Sequence, residues 1–229
     1  MINYLYLLNR IKSKVINWQN PDRVNFIDIA MTYCKHNKID GNYFEFGVYK
    51  GDTFQYAYHA AKMKGLTSMT LFAFDSFQGF SEPGKSDGLE LIKKGDRSCS
   101  ISEFTQNIKK WGVKSNTITI IPGWFSETLT GKGALQTKKL INGKNVALAY
   151  FDADLFEPTK LALDFVTPYL SDGAILAFDN WFLFKGHPNR GERKAFSEWS
   201  TKHHEFLLSE YYKFGWHGNS FIVNRKSSS

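Results

Sequence analysis

A doubly wound α/β fold, built on a mostly parallel sheet, is the architecture this sequence predicts. Three observations carry the prediction. Two apolar runs end abruptly in carboxylates: Val146 to Phe151 gives way to Asp152-Ala153-Asp154, and Ala174 to Phe178 gives way to Asp179-Asn180. Unbroken apolar runs of this length fit strands covered on both faces. From residue 43 onward, strand-like and helix-like segments alternate, the pattern of a parallel sheet with crossover helices. The chain has 229 residues and is 42% hydrophobic, enough for one large α/β domain or a domain with a modest appendage.

The elements follow in order. Residues 1–40 read as a helical cap: Leu7, Leu8, Ile11 and Val15 recur at helical spacing, as do Phe26, Ile29, Ala30 and Tyr33, with Asn20-Pro21-Asp22 as the break. This segment suits a cover over a site, a dimer contact, or a helix pair packed on the sheet. The main domain is expected over residues 41–226. Tyr43 to Phe46 is a first strand and Thr53 to Lys64 a helix; Thr70 to Phe74 is a second strand. Residues 79–100 are polar and long for a connection, as in functional lids or disordered segments. A helix follows over Ser102 to Trp111, with Ser102 as candidate N-cap, then a strand over Thr117 to Ile121. After the strand Val146 to Phe151, Pro158 opens a helix whose apolar face is Leu161, Ala162, Phe165, Val166 and Tyr169. Ser171-Asp172-Gly173 turns into the strand Ala174 to Phe178, and Gly191 to Ser200 is helical. Phe206 to Tyr211 and Ser220 to Val223 form a closing antiparallel pair, adding an antiparallel strand at or near an edge.

Composition narrows the function. The formal charge is +7, from 29 basic and 22 acidic residues, a mild preference for anionic partners such as nucleotide sugars or phosphates. The basic residues are scattered, which disfavours a nucleic-acid groove. Two unrelated cysteines, Cys34 and Cys99, argue against a disulfide framework or a thiolate metal site. The apolar stretch at Met1 to Leu8 precedes its charges, the reverse of a secretory signal, and no run reaches membrane-spanning length; a cytoplasmic protein is expected.

The chemistry concentrates at strand ends. In open parallel sheets, ligands bind beyond the carboxyl ends of the strands. Asp152 and Asp179 at two such ends could jointly hold a hard cation such as Mg²⁺ or Ca²⁺. The turn Glu45-Phe46-Gly47-Val48-Tyr49-Lys50-Gly51-Asp52-Thr53 leaves a strand and enters a helix. It is neither the dinucleotide pattern nor a P-loop. Gly47 permits a tight turn and Gly51 a close backbone approach, while Glu45 suits a cationic group such as an α-ammonium. Asp75, ending the second strand, stands where acids accept hydrogen bonds from ribose hydroxyls. A purely structural strand–turn–helix explains the same glycines.

Five segments in register resemble a class I S-adenosylmethionine-dependent methyltransferase, and more narrowly the macrocin O-methyltransferase family of metal-dependent sugar O-methyltransferases. They are Glu45-Phe46-Gly47-Val48, Asp75-Ser76-Phe77-Gln78-Gly79, Pro122-Gly123-Trp124-Phe125-Ser126-Glu127-Thr128, Asp152-Ala153-Asp154-Leu155-Phe156-Glu157-Pro158-Thr159 and Asp179-Asn180. The resemblance implies a seven-stranded Rossmann-like sheet. It also implies a cofactor site in which Glu45, Gly47 and Gly51 line the methionine moiety, Asp75 the ribose, Ser76 and Phe77 the adenosine, and Gly123, Trp124 and Phe125 the adenine side, with Thr53 and Asp152 also among the cofactor-binding residues. Asp152, Asp179 and Asn180 would bind Mg²⁺, a trio similar to that of catechol and caffeoyl-CoA O-methyltransferases. Those enzymes carry a lysine where this chain has Leu155, which points to the sugar-modifying branch. That branch often has two aspartates at the second metal segment, where this chain has Asp179-Asn180.

The expected reaction is methyl transfer to a hydroxyl of a sugar, nucleotide sugar or glycosylated natural product, through a cation that chelates a diol. Asp154 is a second candidate as ligand or base, or else the N-cap of the helix opening at Pro158. His187, in the loop after Asp179, is a candidate base or an ordinary surface histidine. Trp181, Phe182 and Phe184 would form a sugar platform or belong to the core; Lys185, Arg190 and Arg193 could meet an acceptor phosphate. Rival readings are a catechol or phenol acceptor, RNA, and a non-catalytic cofactor-binding assembly partner. A homodimer is compatible with the helical N-terminus.

Overall fold

A computed structural model describes residues 21–88 and 92–226. Seven strands form one sheet in the order β3-β2-β1-β4-β5-β7-β6. They are β1 (Asn42–Phe46), β2 (Leu71–Asp75), β3 (Ile118–Pro122), β4 (Val146–Phe151), β5 (Leu170–Phe178), β6 (Phe206–Glu210) and β7 (Asn219–Arg225). The first five are parallel, and β7 runs antiparallel between β5 and the edge strand β6. The doubly wound, mostly parallel sheet is therefore present, with the antiparallel strand one place in from the edge. Helices cover both faces: α1 (Pro21–His36), α2 (Asp52–Met63) and α3 (Ile101–Lys110) on one, with α4 (Phe125–Thr128), α5 (Gly131–Ile141), α6 (Phe156–Val166) and α7 (Gly191–Lys202) on the other.

Strand alternation sorts the side chains between two cores. Tyr43 and Tyr150 face α1 and α2, where Phe26 of α1 stacks on Phe214 at 4.1 Å. Phe44, Phe46, Phe72, Phe74, Phe151 and Phe178 face the second layer. Four of these rings make a ladder across the sheet: Phe74–Phe46 at 4.6 Å, Phe46–Phe151 at 5.1 Å and Phe151–Phe178 at 4.9 Å. Their residues are register partners, so the next residue in each strand, Asp75, Gly47, Asp152 and Asp179, emerges at the same edge. Each buried ring contributes about 1.5–3 kcal/mol. Truncating the central one, Phe151→Ala, would cost ~3–5 kcal/mol.

Several boundaries differ from expectation, each for a local reason. The N-cap of α3 is Ser100, whose Oγ accepts from the Glu103 N–H at 3.1 Å; Ser102 lies inside the helix. The α6 helix opens at Phe156, two residues before Pro158. Its cap comes from far away: Asp87, in the 79–100 connection, accepts from the Phe156 N–H at 2.7 Å. Asp154 does not cap this helix; it adopts φ 58° and its carboxylate faces Asn180. The α5 helix has no counterpart in the sequence reading, because Gly131, Gly133 and three lysines dilute its apolar face. The expected helix over Leu7 to Val15 lies outside the described residues.

The long connection is tied down where it is described. Besides Asp87, Ser86 accepts from the Gly191 N–H at 3.0 Å through its carbonyl and from Lys194 Nζ at 2.6 Å through its hydroxyl. Cys34 and Cys99 are both free thiols. Among the described residues, no helix is long and apolar enough to cross a membrane.

Candidate active site

One cleft runs along the carboxyl ends of β1, β2 and β4. Its walls include Glu45, Gly47, Thr53, Asp75, Ser76, Trp124, Phe125 and Asp152, together with Arg23 from α1 and Arg97 from the long connection. Eight of the residues expected around a methyl donor thus share one cavity. Gly51, Phe77 and Gly123 do not line it.

The half beneath β1 and β2 is shaped by backbone. Gly47 adopts φ +91°, and a Cβ there would overlap the carbonyl oxygen of Asp152, so the turn admits only glycine. Asp75 fastens this turn: its Oδ2 accepts from the N–H groups of Val48 at 2.8 Å and Tyr49 at 3.0 Å, and its Oδ1 from Phe77 at 2.7 Å. Gly51 caps α2 in the left-handed region, and its missing side chain makes room for Ile108 and Phe104 of α3 rather than for a ligand. Phe77 likewise packs on Phe104, at 5.5 Å. Gly123 donates to the Asp75 carbonyl at 2.9 Å, which sets Trp124 and Phe125 on the far wall.

The half beneath β4 and β5 is shaped by charge. Asp179 is 1% exposed; its Oδ1 accepts from the Tyr150 hydroxyl and its Oδ2 from Arg23 Nη2. Arg23 Nη1 stands 3.6 Å from Asp152 Oδ2 and donates to Thr53 Oγ1 at 3.4 Å. Asn180 donates through Nδ2 to Asp152 Oδ1 at 3.0 Å and to Asp154 Oδ1. Behind them lies Glu192, fully buried, which the sequence reading missed. Its Oε1 accepts from the N–H groups of Ala153 at 3.2 Å and Asp154 at 3.3 Å, and its Oε2 from Asn180 at 2.9 Å. It clasps the ends of β4 and β5 together. His217, also missed, is buried with Nδ1 2.5 Å from the Asp179 carbonyl oxygen and donates to it.

Burial dominates the electrostatics. It pushes the carboxyls of Asp152 and Glu192 well above their ordinary values, with repulsion from Asp179 and Asp154 respectively adding to it. Asp154 is raised to about 7 by burial, against the pull of Arg97. Burial raises Glu45 too, only partly offset by its hydrogen bond from Tyr43. Desolvation alone would lower Arg23; Asp179, Tyr150 and Asp152 outweigh it and hold the guanidinium well above its ordinary value.

The donor set of Asp152, Asp154, Asp179 and the Asn180 amide is all hard oxygen chemistry, suited to Mg²⁺. The cation that Asp152 and Asp179 hold in this structure is Arg23. Asn180 turns its nitrogen toward them, and among the described residues no group of three or more acidic, His or Cys side chains is disposed to hold a metal ion. Donor identity fits the metal; the arrangement admits it only after Arg23 has moved.

Of the three candidate catalytic residues, only Asp152 reaches the cleft. His187 is exposed on the turn after β5, where Nδ1 accepts from the Asn189 N–H at 3.1 Å. Trp181 and Phe184 are core residues: Trp181 packs at 5.3 Å on both Phe178 and Phe196. Arg193 is spent on the Gly186 carbonyl and the Trp181 ring.

The sheet order, the glycine turn and the acid-tipped strands are those of the class I methyltransferase fold. The O-methyltransferase NovP superposes with a TM-score of 0.72 at 19% identity, covering 90% of this chain and 81% of that one. The calicheamicin methyltransferase CalS11 does so with 0.67 at 22%, covering 90% and 79%. At such identities the likeness shows the fold alone.

The chain belongs to the macrocin O-methyltransferase (TylF) family, whose model matches residues 20–203. It is similar to an 8-demethyl-8-(2,3-dimethoxy-alpha-L-rhamnosyl)-tetracenomycin-C 4'-O-methyltransferase of Streptomyces olivaceus, 26% identical over 63% of this chain and 54% of that protein. It is also similar to the mycinamicin III 3''-O-methyltransferase of Micromonospora griseorubida, 22% identical over 70% and 63%. The matches therefore span little more than half the length of these relatives.

Proposed function

We propose that this protein is an S-adenosylmethionine-dependent O-methyltransferase acting on a hydroxyl of a sugar, either in a nucleotide sugar or in a glycosylated natural product. The observation that carries the reading is that one cleft joins the Glu45–Asp75 turn to Asp152. The donor carries two cationic groups at its methionine end, a sulfonium and an ammonium, beside its carboxylate. Glu45, on the cleft wall, complements that charge once the donor draws off the proton that burial otherwise holds on it. Asp75 has an acceptor lone pair left on Oδ1 for a ribose hydroxyl. Trp124 and Phe125 offer flat apolar surface to the adenine.

Methyl transfer needs the sulfonium methyl and the acceptor oxygen in line, and a place for the hydroxyl proton. Asp152 takes that proton in this reading, since it alone of the candidate bases touches the cleft. Leu155 and Leu161 give the adjoining wall an apolar surface that excludes water. Asp152, Asp179 and Asn180 would hold Mg²⁺, which when bound supplies Lewis-acid polarisation of the acceptor hydroxyl. The relatives named for methylation of rhamnosyl and mycinamicin acceptors support a sugar over a catechol, and Leu155, in the place of a catechol-type lysine, agrees.

Calorimetry with S-adenosylmethionine, followed by turnover on a panel of nucleotide sugars and glycosides with Mg²⁺ or with chelator, tests the proposal. Micromolar donor binding and transfer to at least one sugar acceptor are expected. Absence of donor binding would refute the reading, and unchanged turnover in chelator would refute its metal component alone.

A further inference from the structure

We propose that Arg23 is a built-in cation that competes with a divalent metal for Asp152 and Asp179, so that metal enters only when the guanidinium withdraws. The inference rests on the reading of these two aspartates as the acidic side of the acceptor site. Four observations carry it. Arg23 Nη2 is bonded to Asp179 Oδ2 and Nη1 stands 3.6 Å from Asp152 Oδ2, so the guanidinium spans the two oxygens a metal would need. Arg23 lines the cleft whereas Asp179 does not, so the arginine stands between Asp179 and any ion arriving from the cleft. The guanidinium is held incompletely: its Nε is buried with no hydrogen-bond partner among the described residues. A side chain whose only duty were to seal this place would be expected to satisfy that donor. Finally, Arg23 lies in the first turn of α1, on a long unbranched stem, and is 19% exposed toward the cleft. It can swing outward by rotamer changes without unseating the helix.

Charge makes the two occupants exclusive. Asp152 and Asp179 with Arg23 leave one negative charge if both acids are ionised; with a divalent cation they are neutral. A guanidinium held beside that cation in a poorly solvated site would be repelled strongly. Each carboxylate oxygen is therefore shared in time and not in space. The consequence is a linkage between metal and the start of α1, and by reciprocity each disfavours the other.

The test is Mn²⁺ binding, followed by calorimetry and by the loss of the free-ion paramagnetic resonance signal, in the parent, Arg23→Gln and Arg23→Gln with Asp179→Asn. Arg23→Gln should bind Mn²⁺ at least tenfold more tightly than the parent, and the added Asp179→Asn should abolish the gain. Millimolar free guanidinium should weaken Mn²⁺ binding to Arg23→Gln while leaving the parent unaffected. Equal affinity in parent and Arg23→Gln, or a gain that survives Asp179→Asn, would overturn the competition. Should Arg23→Gln fail to fold, Arg23→Lys decides: a single ammonium cannot span both carboxylates as the forked guanidinium does, so Mn²⁺ should bind more tightly than to the parent, and unchanged affinity would overturn the proposal. Donor binding, measured separately, tests the methyltransferase reading, so the two can fail independently.

Discussion

The two halves of the cleft are made of different materials. Beneath β1 and β2 the shape comes from backbone: one left-handed glycine, and one carboxylate accepting three N–H groups of nearby turns. Beneath β4 and β5 it comes from buried charge: Asp152, Asp154, Asp179 and Glu192 balanced against Arg23 and Arg97. A backbone-built half is pre-organised and tolerates little change of shape. A charge-built half is poised, because removing or adding one cation redistributes every partner in it.

The sharpest break in the comparison should come at Asp152, which borders both halves. Asp152→Asn is expected to lower methyl transfer by ~10²–10⁴-fold, the usual worth of a proton acceptor, with donor affinity much less affected. A kcat loss matched by an equal loss of donor binding would move Asp152 out of the chemistry. Gly47→Ala should come next. Left-handed strain costs ~1–3 kcal/mol, and the overlap with the Asp152 carbonyl adds to it, so unfolding midpoint and donor binding should fall together. Glu192→Gln should separate the halves. Its amide cannot accept from all three N–H groups, at a cost of about 1–3 kcal/mol. Acceptor turnover should drop while donor calorimetry stays near that of the parent.

The smallest effect concerns pH. Burial holds Glu45 above its ordinary value of 4.5 despite the Tyr43 hydroxyl. The folded carboxyl thus keeps a proton that the unfolded chain releases. Its contribution to stability is intact below about pH 4.5 and is lost as pH rises toward the folded value. Glu45→Gln should flatten that decline in melting temperature above about pH 4.5 while weakening donor binding. An unchanged slope would show that Glu45 is not the titrating group.

The same contrast explains what the sequence made legible. The strands, the glycine turn and the acids at their ends are local signals, and five parallel strands with Asp75, Asp152 and Asp179 at their tips were readable from apolar runs and the residues that stop them. Arg23 was not, since its partner Asp179 lies 156 residues away and nothing in Pro21-Asp22-Arg23 marks a buried cation. Glu192 and Asp87 share that fate: one clasps two loops, the other caps a helix 69 residues on. His187 showed the converse error, because nearness in sequence to Asp179 did not bring it to the cleft. A buried acid opening an otherwise basic helix, as Glu192 does before Arg193 and Lys194, was the one local hint available.

The phenylalanine ladder has a consequence for how such a protein can change. Phe74-Asp75, Phe151-Asp152 and Phe178-Asp179 each join a core ring to a strand-tip acid in adjacent positions, so a one-residue slip of any strand would turn the ring toward the opposite core and carry the acid out of place. Variation in what the protein accepts is thereby channelled away from the strand tips. It falls instead to the 79–100 connection, whose Gly79, Phe80, Ser81 and Arg97 line the cleft and where substitutions can reshape the mouth without disturbing the aromatic spine below.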